Sequence, residues 1–169
     1  MAAGNTYEAI AQTTVSGSST TAITFSSIPQ TYTDLVLIGR YTQASNNGIQ
    51  MYFNGNPSTT SYSFNGVEYN GTRIARAAYT NRDTIYLEDW NGATAAGDFM
   101  ITINLYQYAS TSKFKTVNTN RITQTSGADN TRFIGTYGST SAITEINLVS
   151  FTAVITAGGT FSLYGIAAA

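Results

Sequence analysis

Alternation of apolar and polar residues with a period of two is the dominant pattern of this chain. It is clearest in the segment Phe99–Tyr106, where every second residue is apolar and the residues between them are mostly polar. This period is typical of a β-strand with one buried face. The same period recurs in Ile23–Phe25, Ile146–Leu148 and Phe161–Leu163. We therefore expect β-sheet from one end of the chain to the other.

Turn signals separate these alternating runs, and they are mainly Asn-Gly and Gly-rich pairs that tolerate positive φ angles. One run, Asp34–Ile38, is apolar at consecutive positions, which predicts a central strand that is buried on both faces or crosses the centre of the core. The Ala-containing segment Arg73–Tyr79 predicts at most a short helical turn. The predicted strands are 7–15, 20–26, 34–43, 48–53, 62–69, 83–89, 98–109, 114–122, 131–137, 143–151 and 160–166.

These strands predict an all-β protein with a single antiparallel β-sandwich of about ten strands. No linker-like composition divides the chain, so we expect an N-terminal arm, residues 1–6, followed by one domain, residues 7–169. The strand number favours a jelly roll over a seven-stranded immunoglobulin fold, which would also lack its usual cysteine pair here.

Composition excludes most familiar catalytic chemistry. The chain has 169 residues, of which 42% are hydrophobic and only 10% charged, and it contains no His and no Cys. A Cys/His zinc site, a thiol nucleophile, a disulfide and a Ser-His-Asp triad are therefore impossible. We expect no cofactor and no metal, although oxygen ligands such as Asp129 and Asn130 leave a calcium site open.

Charge and hydropathy limit the partners. Eight basic residues are scattered against nine acidic ones, which leaves no basic stripe for a nucleic-acid backbone. No run is long and apolar enough to cross a membrane. The N-terminus lacks the basic and apolar regions of a secretory signal, so synthesis in a cytoplasm is expected.

Two groups of residues are candidates for catalysis. The carboxylates Asp83, Glu88, Asp89 and Asp98 flank Trp90, and an acid pair beside an aromatic platform is the arrangement of a glycoside hydrolase. The polar segment Ser110–Lys113 offers a Ser nucleophile and a Lys base. Turns that follow or precede strands explain both groups without catalysis, so no catalytic residue is assigned.

Two further groups are candidates for binding. Trp90 and the tyrosines suit sugar stacking, but aromatic residues that close the ends of a sandwich core are the more common arrangement. Arg73, Arg76 and Arg82, interleaved with Tyr79, form the single basic cluster of the sequence. This cluster suits a polyanion or an acidic neighbouring subunit, and a solvated or intersubunit face is the favoured interpretation.

Several segments together carry a family resemblance. They are Tyr7–Ala11 (Tyr-Glu-Ala-Ile-Ala), Ile23–Pro29, Tyr32–Leu37, Ala142–Ile146 and Gly159–Ile166 (Gly-Thr-Phe-Ser-Leu-Tyr-Gly-Ile). In these segments the chain resembles a family of small virion proteins of tailed bacteriophages, especially phages of aquatic bacteria and cyanobacteria. The resemblance spans nearly the whole chain, except for a middle part from about Asn54 to Asp98.

The resemblance implies a β-sandwich on the virion surface, either a capsid decoration (cement) protein or a tail or fibre protein. A decoration protein that binds the major capsid protein or another virion protein is the favoured function. A receptor-binding module for a host-surface glycan is the alternative, and a small glycan hydrolase is a remote one. We also expect a homotrimer, because association covers open sheet edges. The candidate contact arm is Met1, Ala2, Ala3, Gly4, Asn5 and Thr6.

Overall fold

The structure is a computed structural model that describes residues 6–43, 48–55, 57, 61–69, 74–87, 97–123, 130–150 and 154–167. Within these ranges all regular structure is β-strand, in chain order β1 (Tyr7–Thr14), β2 (Ala22–Phe25), β3 (Asp34–Gln43), β4 (Ile49–Phe53), β5 (Tyr62–Tyr69), β6 (Ile74–Arg82), β7 (Ile85–Tyr86), β8 (Gly97–Tyr106), β9 (Lys115–Thr123), β10 (Asn130–Tyr137), β11 (Ile146–Ser150) and β12 (Thr160–Ile166).

The strands form two antiparallel sheets. The large sheet has eight strands in the order β1-β12-β3-β8-β9-β10-β5-β6, and the small sheet has four in the order β2-β11-β4-β7. The predicted all-β class and the antiparallel β-sandwich are confirmed. The jelly-roll topology and the division into an arm and one domain stay predictions.

The alternating residues of the sequence form the core between the two sheets. Phe99, Ile101, Ile103 and Leu105 of β8 are all buried, as their period predicts. The consecutive apolar residues Leu35–Leu37 are also buried, because β3 lies between β12 and β8 in the large sheet. The phase of β8 and the central position of β3 in its sheet are confirmed. Burial of β3 on both faces is not, because its outward residue Ile38 is exposed.

Glycine and aromatic residues face each other across neighbouring strands on the inner face of the large sheet. Gly39 pairs with Phe161, and Gly66 and Gly135 pair with Phe133 and Phe64, respectively. A Cβ atom on Gly66 would lie 2.3 Å from Phe133 Cδ1 and 2.4 Å from the Arg132 carbonyl oxygen. Because glycine has no side chain, the ring of the neighbouring strand lies directly against its backbone. This packing offsets the low stability of glycine within a sheet.

One buried row of this face is polar. Arg121, which is fully buried, pairs with Thr131 across the sheet, and Thr131 pairs with Glu68. The Arg121 guanidinium lies 4.9 Å from the centre of the Phe99 ring. Its Nε donates to Thr131 Oγ1 at 3.4 Å, and Thr131 Oγ1 donates to the Leu87 carbonyl oxygen at 3.2 Å. The sandwich therefore holds charged side chains within its core.

Segment 73–79 was wrongly predicted as a helical turn, since residues 74–79 belong to the edge strand β6. Alanine favours a helix by its intrinsic propensity, but here hydrogen bonding to β5 determines the secondary structure instead. Ala77 pairs with Gly66, and Ala75 pairs with Glu68. The small alanines on the inner face allow β6 to lie close to the margin of the core.

The pair Asn65-Gly66 is one of the Asn-Gly pairs that predict turns, but it lies within β5. Asn54-Gly55, by contrast, has positive φ angles of 56° and 63° at its two residues, and it is a turn as the sequence predicts. Gly66 has no such angle. Its role is to make room for Phe133, a requirement that the local sequence does not reveal.

We predict that Gly66→Ala destabilises the fold by about 1–3 kcal/mol, because the new methyl group would overlap a ring and a backbone carbonyl that cannot both move. Gly135→Ala is the matched comparison, since its Cβ would lie 3.0 Å from Phe64 Cβ. Urea unfolding of both variants measures the difference. A loss for Gly66→Ala no larger than for Gly135→Ala would contradict the prediction.

Candidate binding surface

The outer face of the large sheet is the largest candidate for a functional surface. Ten large hydrophobic side chains of the described residues are exposed, and all except Phe114 lie on this face. They are Tyr7, Ile38, Val67, Tyr69, Ile74, Met100, Tyr106, Ile122 and Ile134. No described segment covers them. Exposed apolar side chains gathered on one uncovered face are typical of a surface that contacts another molecule.

The register of the strands places several of these residues in common rows across the sheet. Met100 pairs with Ile122, Ile122 pairs with Asn130, and beyond them Tyr69 pairs with Ile74. In the next row Arg132 pairs with Val67, and Val67 pairs with Arg76. Side chains that are directly opposite in antiparallel strands share a face. Residues that are up to 65 positions apart in sequence thus form one surface.

The sequence analysis did not predict this surface, although the sequence contains a pattern that indicates it. In β8 and β10, Met100 and Ile134 interrupt the polar phase of an alternating strand, and in β9 Ile122 lies out of phase with the buried Val117. Each of these residues is apolar at an outward position. Such residues indicate an exposed apolar face once the inner phase of each strand is known.

Charges on this face are few and mostly positive. Arg40, Arg76 and Arg132 are exposed, and none forms a hydrogen bond or ion pair with another residue of the described ranges. The acidic residues Asp34 and Asp98 lie at opposite ends of the sheet. Asp34 Oδ1 accepts a hydrogen bond from Gln107 N at 2.8 Å, and Asp98 Oδ1 accepts one from Thr42 Oγ1. Between these ends the face carries exposed apolar side chains, Thr and Asn residues, and uncommitted guanidinium groups.

One end of the sandwich is held together by hydrogen bonds from side chains to the backbone. Asn54 Oδ1 accepts from Thr144 N at 2.9 Å and from Glu145 N at 3.3 Å, and Asn54 Nδ2 donates to the Ala142 carbonyl oxygen. Gln30 Nε2 donates to the carbonyl oxygen of Ile143 at 2.9 Å. These bonds satisfy loop backbone that the strands leave unpaired, so the loops at this end are tied to the core.

Lys115 is part of the same tied end. Its side chain is fully buried, and Nζ donates to the carbonyl oxygens of Ser110, Lys113 and Ser139 at 2.7, 3.1 and 3.1 Å. Burial lowers the pKa of Lys115, because removing the ammonium group from water disfavours its charged form. The three carbonyl groups hold two neighbouring loops together through one cation.

The segment Ser110–Lys113 is a turn in the structure and does not form a Ser and Lys catalytic pair. Ser110 Oγ accepts from Lys113 N at 3.0 Å and from Ser112 N at 3.3 Å, which is the local bonding of a polar turn. The Lys113 side chain is exposed. The ammonium group that approaches Ser110 belongs to Lys115 and contacts the carbonyl oxygen.

The candidate carboxylates are not brought together where the structure describes them. Asp98 is the second residue of β8 and lies opposite Thr42 of β3. Asp83 follows Arg82, which lies at the other end of the large sheet opposite Tyr62. The two are roughly 30 Å apart along the strand direction, far more than the spacing of a glycosidase acid pair. Glu88, Asp89 and Trp90 lie outside the described residues.

The predicted basic cluster is divided. Arg76 is on the outer face of the large sheet, whereas the Arg82 guanidinium lies 4.9 Å from the centre of the half-buried Tyr79 ring. Arg73 lies outside the described residues. Several tyrosines are core residues, among them Tyr62, whose pKa is raised by burial. Tyr62 stacks on Tyr137 with ring centres 5.0 Å apart.

The remaining candidates concern the arm and metal binding. Of the arm, Met1 to Asn5 lie outside the described residues, and Thr6 is exposed, with its carbonyl oxygen accepting from Ala167 N at 3.2 Å. Asp129 also lies outside them, and Asn130 begins β10. Across the described ranges, His, Cys, Asp and Glu residues form no group of three that suits a metal ion. Those ranges contain no helix of the length and hydropathy needed to span a membrane.

Comparisons of the chain with protein-family models, with curated proteins and with solved structures found no match.

We predict that Lys115→Met destabilises the fold by about 1–3 kcal/mol at neutral pH, because three carbonyl oxygens lose their donor. The pKa of Lys115 is lower in the folded chain, so the unfolded chain binds more protons in the alkaline range below the ordinary lysine pKa. The stability of the parent protein should therefore rise, relative to the variant, as pH increases through that range.

Urea unfolding between neutral and alkaline pH measures both effects. Lys113→Met is the matched control, since the Lys113 side chain is exposed, and it should change stability by less than about 0.5 kcal/mol. A difference between Lys115→Met and the parent that does not change with pH would contradict the desolvation of this ammonium group.

Proposed function

We propose that this protein is a structural virion protein of a tailed bacteriophage. In this proposal it is a capsid decoration (cement) protein that binds the outer surface of the head and stabilises it. The observation that supports a binding role is the uncovered apolar face of the large sheet. The resemblance of Tyr7–Ala11 and Gly159–Ile166 to small phage virion proteins supports the virion as the place of binding.

Decoration requires binding alone. A protein that contacts several capsid subunits stabilises the assembled shell relative to its separated parts, because it binds the assembly more tightly than the single subunits. No reactive group takes part in this effect, so we assign no enzymatic activity. The role requires instead a broad surface, which the eight strands of the large sheet provide, and a rigid body behind it.

The composition of the face suits assembly. Burying a charged group without a partner is costly, whereas burying apolar and paired polar groups is not. The face carries large apolar side chains between Thr and Asn residues, with only three arginines in its interior rows. A partner that covers this face removes apolar surface from water and has few charges to neutralise.

We predict that a density map of the virion places copies of this protein over the outside of the head, at the junctions of major capsid subunits. The proposed contacts include the outer face of the large sheet and the arm Met1–Thr6. Copies confined to the tail or to one vertex would overturn the decoration role and would favour the glycan-binding alternative.

A matched pair of variants tests the surface itself by co-sedimentation with heads that lack the protein. Ile122→Glu places a charge in the apolar rows of the large sheet and should weaken binding by about tenfold or more. Ala22→Glu places the same charge on the exposed part of β2 in the small sheet and should bind as the parent does. Equal binding by both variants would exclude the large sheet as the contact surface.

We also predict a homotrimer. The large sheet has two edge strands, β1 and β6. Each has one register irregularity, between Ala9 and Ala11 in β1 and opposite Tyr62–Phe64 in β6. The regular parts of both edges can pair with another chain. Sedimentation equilibrium at micromolar concentration should give three times the mass of the 169-residue chain. A monomer in solution, with single copies on the virion, would contradict the prediction.

A further inference from the structure

We propose that a hollow over strand β5 binds an extended segment of a partner polypeptide, in which one acidic side chain lies between two apolar ones. This inference rests on the proposed function, because it names the chemistry of the partner at the outer face of the large sheet. The hollow lies at the β6 edge of that face and is a small part of it.

The shape of the hollow follows strand β5. Two open concavities, of about 610 and 500 Å³, share the residues Val67, Arg76 and Arg132. The first reaches Asn65 and the second reaches Tyr69. Because alternate residues of a strand face the same side, Asn65, Val67 and Tyr69 form one line about 13 Å long. The hollow is therefore long enough for about five extended residues.

Two guanidinium groups flank the middle of this line. Arg132 of β10 and Arg76 of β6 both pair with Val67, so their Cα atoms are about 10 Å apart, the width of two strand spacings. Both side chains are exposed, and neither is bonded to another described residue. No acidic side chain on the outward face of β5, β6, β9 or β10 opposes them in the described part of these strands. A carboxylate over Val67 could accept hydrogen bonds from both guanidinium groups. Such charge-assisted bonds between arginine and a carboxylate are stronger than bonds between neutral groups.

Apolar groups lie at both ends of the same line. Ala78 and Ile134 flank Asn65 at one end, and Ile74 lies beside Tyr69 at the other. In an extended peptide, alternate side chains are about 6.7 Å apart, which is also the spacing from Asn65 to Val67 and from Val67 to Tyr69. A segment with the pattern apolar-x-acidic-x-apolar therefore matches the hollow position by position.

A polypeptide suits this hollow better than a glycan or a phosphate polymer. Sugar rings stack on flat aromatic faces, and Tyr69 is the only aromatic residue that lines the hollow in the described part of the chain. A phosphate polymer has no apolar group to place on Val67, Ile134 and Ile74. Aliphatic side chains and a carboxylate occur together in one short peptide segment.

The test is a titration of the full-length, ¹⁵N-labelled protein with two synthetic peptides. The acidic peptide is acetyl-Thr-Leu-Thr-Glu-Thr-Leu-Thr-amide, and the neutral peptide has Gln in place of Glu. The acidic peptide should shift the amide resonances of β5, β6 and β10 around Val67. The neutral peptide should bind about tenfold more weakly, because it loses the charge-assisted bonds to both guanidinium groups.

Three variants distinguish the hollow from the general charge of the face. Arg76→Gln and Arg132→Gln should each weaken binding of the acidic peptide by about tenfold. Arg40→Gln is the matched control, because Arg40 lies on the same face but on β3, opposite Met100. It should bind as the parent does. Equal losses of peptide binding for all three variants would show general attraction to the positive charge of the face, without a specific site. That result would overturn the proposal.

Other occupants give other outcomes. Binding of trigalacturonate at Arg76 and Arg132, without binding of the acidic peptide, would make the hollow a site for an acidic glycan. Self-association that Arg76→Gln abolishes would make a second copy of this chain the occupant. Either result would overturn the proposal that a partner polypeptide occupies the hollow. A protein found on the tail that still binds the acidic peptide would refute decoration and leave this inference intact, so the two failures are distinguishable.

Discussion

The unequal width of the two sheets is the constraint on which the rest of the structure depends. Four strands, β2, β11, β4 and β7, pack against a sheet of eight. Apolar residues of both inner faces meet in the core, but the outer face of the large sheet has no second layer within the described chain. A sheet that is covered on one face needs the opposite face to tolerate water. This face is therefore both the exterior of the fold and its widest open surface.

Aromatic rings fill the space between the sheets, and glycines make room for them. Tyr41 stacks between Phe99 and Phe161, with ring centres 5.4 and 5.5 Å away. Phe161 lies over Gly39 on the neighbouring strand. Large rings that lie against the backbone of glycine residues fill the space between the sheets densely. These glycines alternate with outward-facing residues along the same strands, so one strand pattern sets both the core and the surface.

The sequence predicted those features that depend on neighbours along the chain. The phase of β8, the buried centre of β3 and the turn at Asn54-Gly55 follow from local period and turn chemistry. Features that depend on register were missed. Strand β6 forms because β5 accepts an alanine-rich partner, and Gly66 is needed by Phe133, which is 67 positions away in sequence. The candidate surface was missed for the same reason, since Val67 becomes a neighbour of both Arg76 and Arg132 only in the folded sheet.

In the proposed binding role, the end of the sandwich whose loops are held to the core and the open face of the large sheet have different tasks. Asn54, Lys115 and Gln30 hold the loops at one end to the core, so contact with a partner does not have to order them first. A preorganised surface loses little conformational entropy on binding. On the open face, apolar residues supply the area that a partner removes from water, and the arginines can fix the position of that partner. Charged groups at an interface contribute more to register and specificity than to affinity. On a face with few charges and uncommitted guanidinium groups, the buried apolar area can therefore provide affinity, and the arginines can provide specificity.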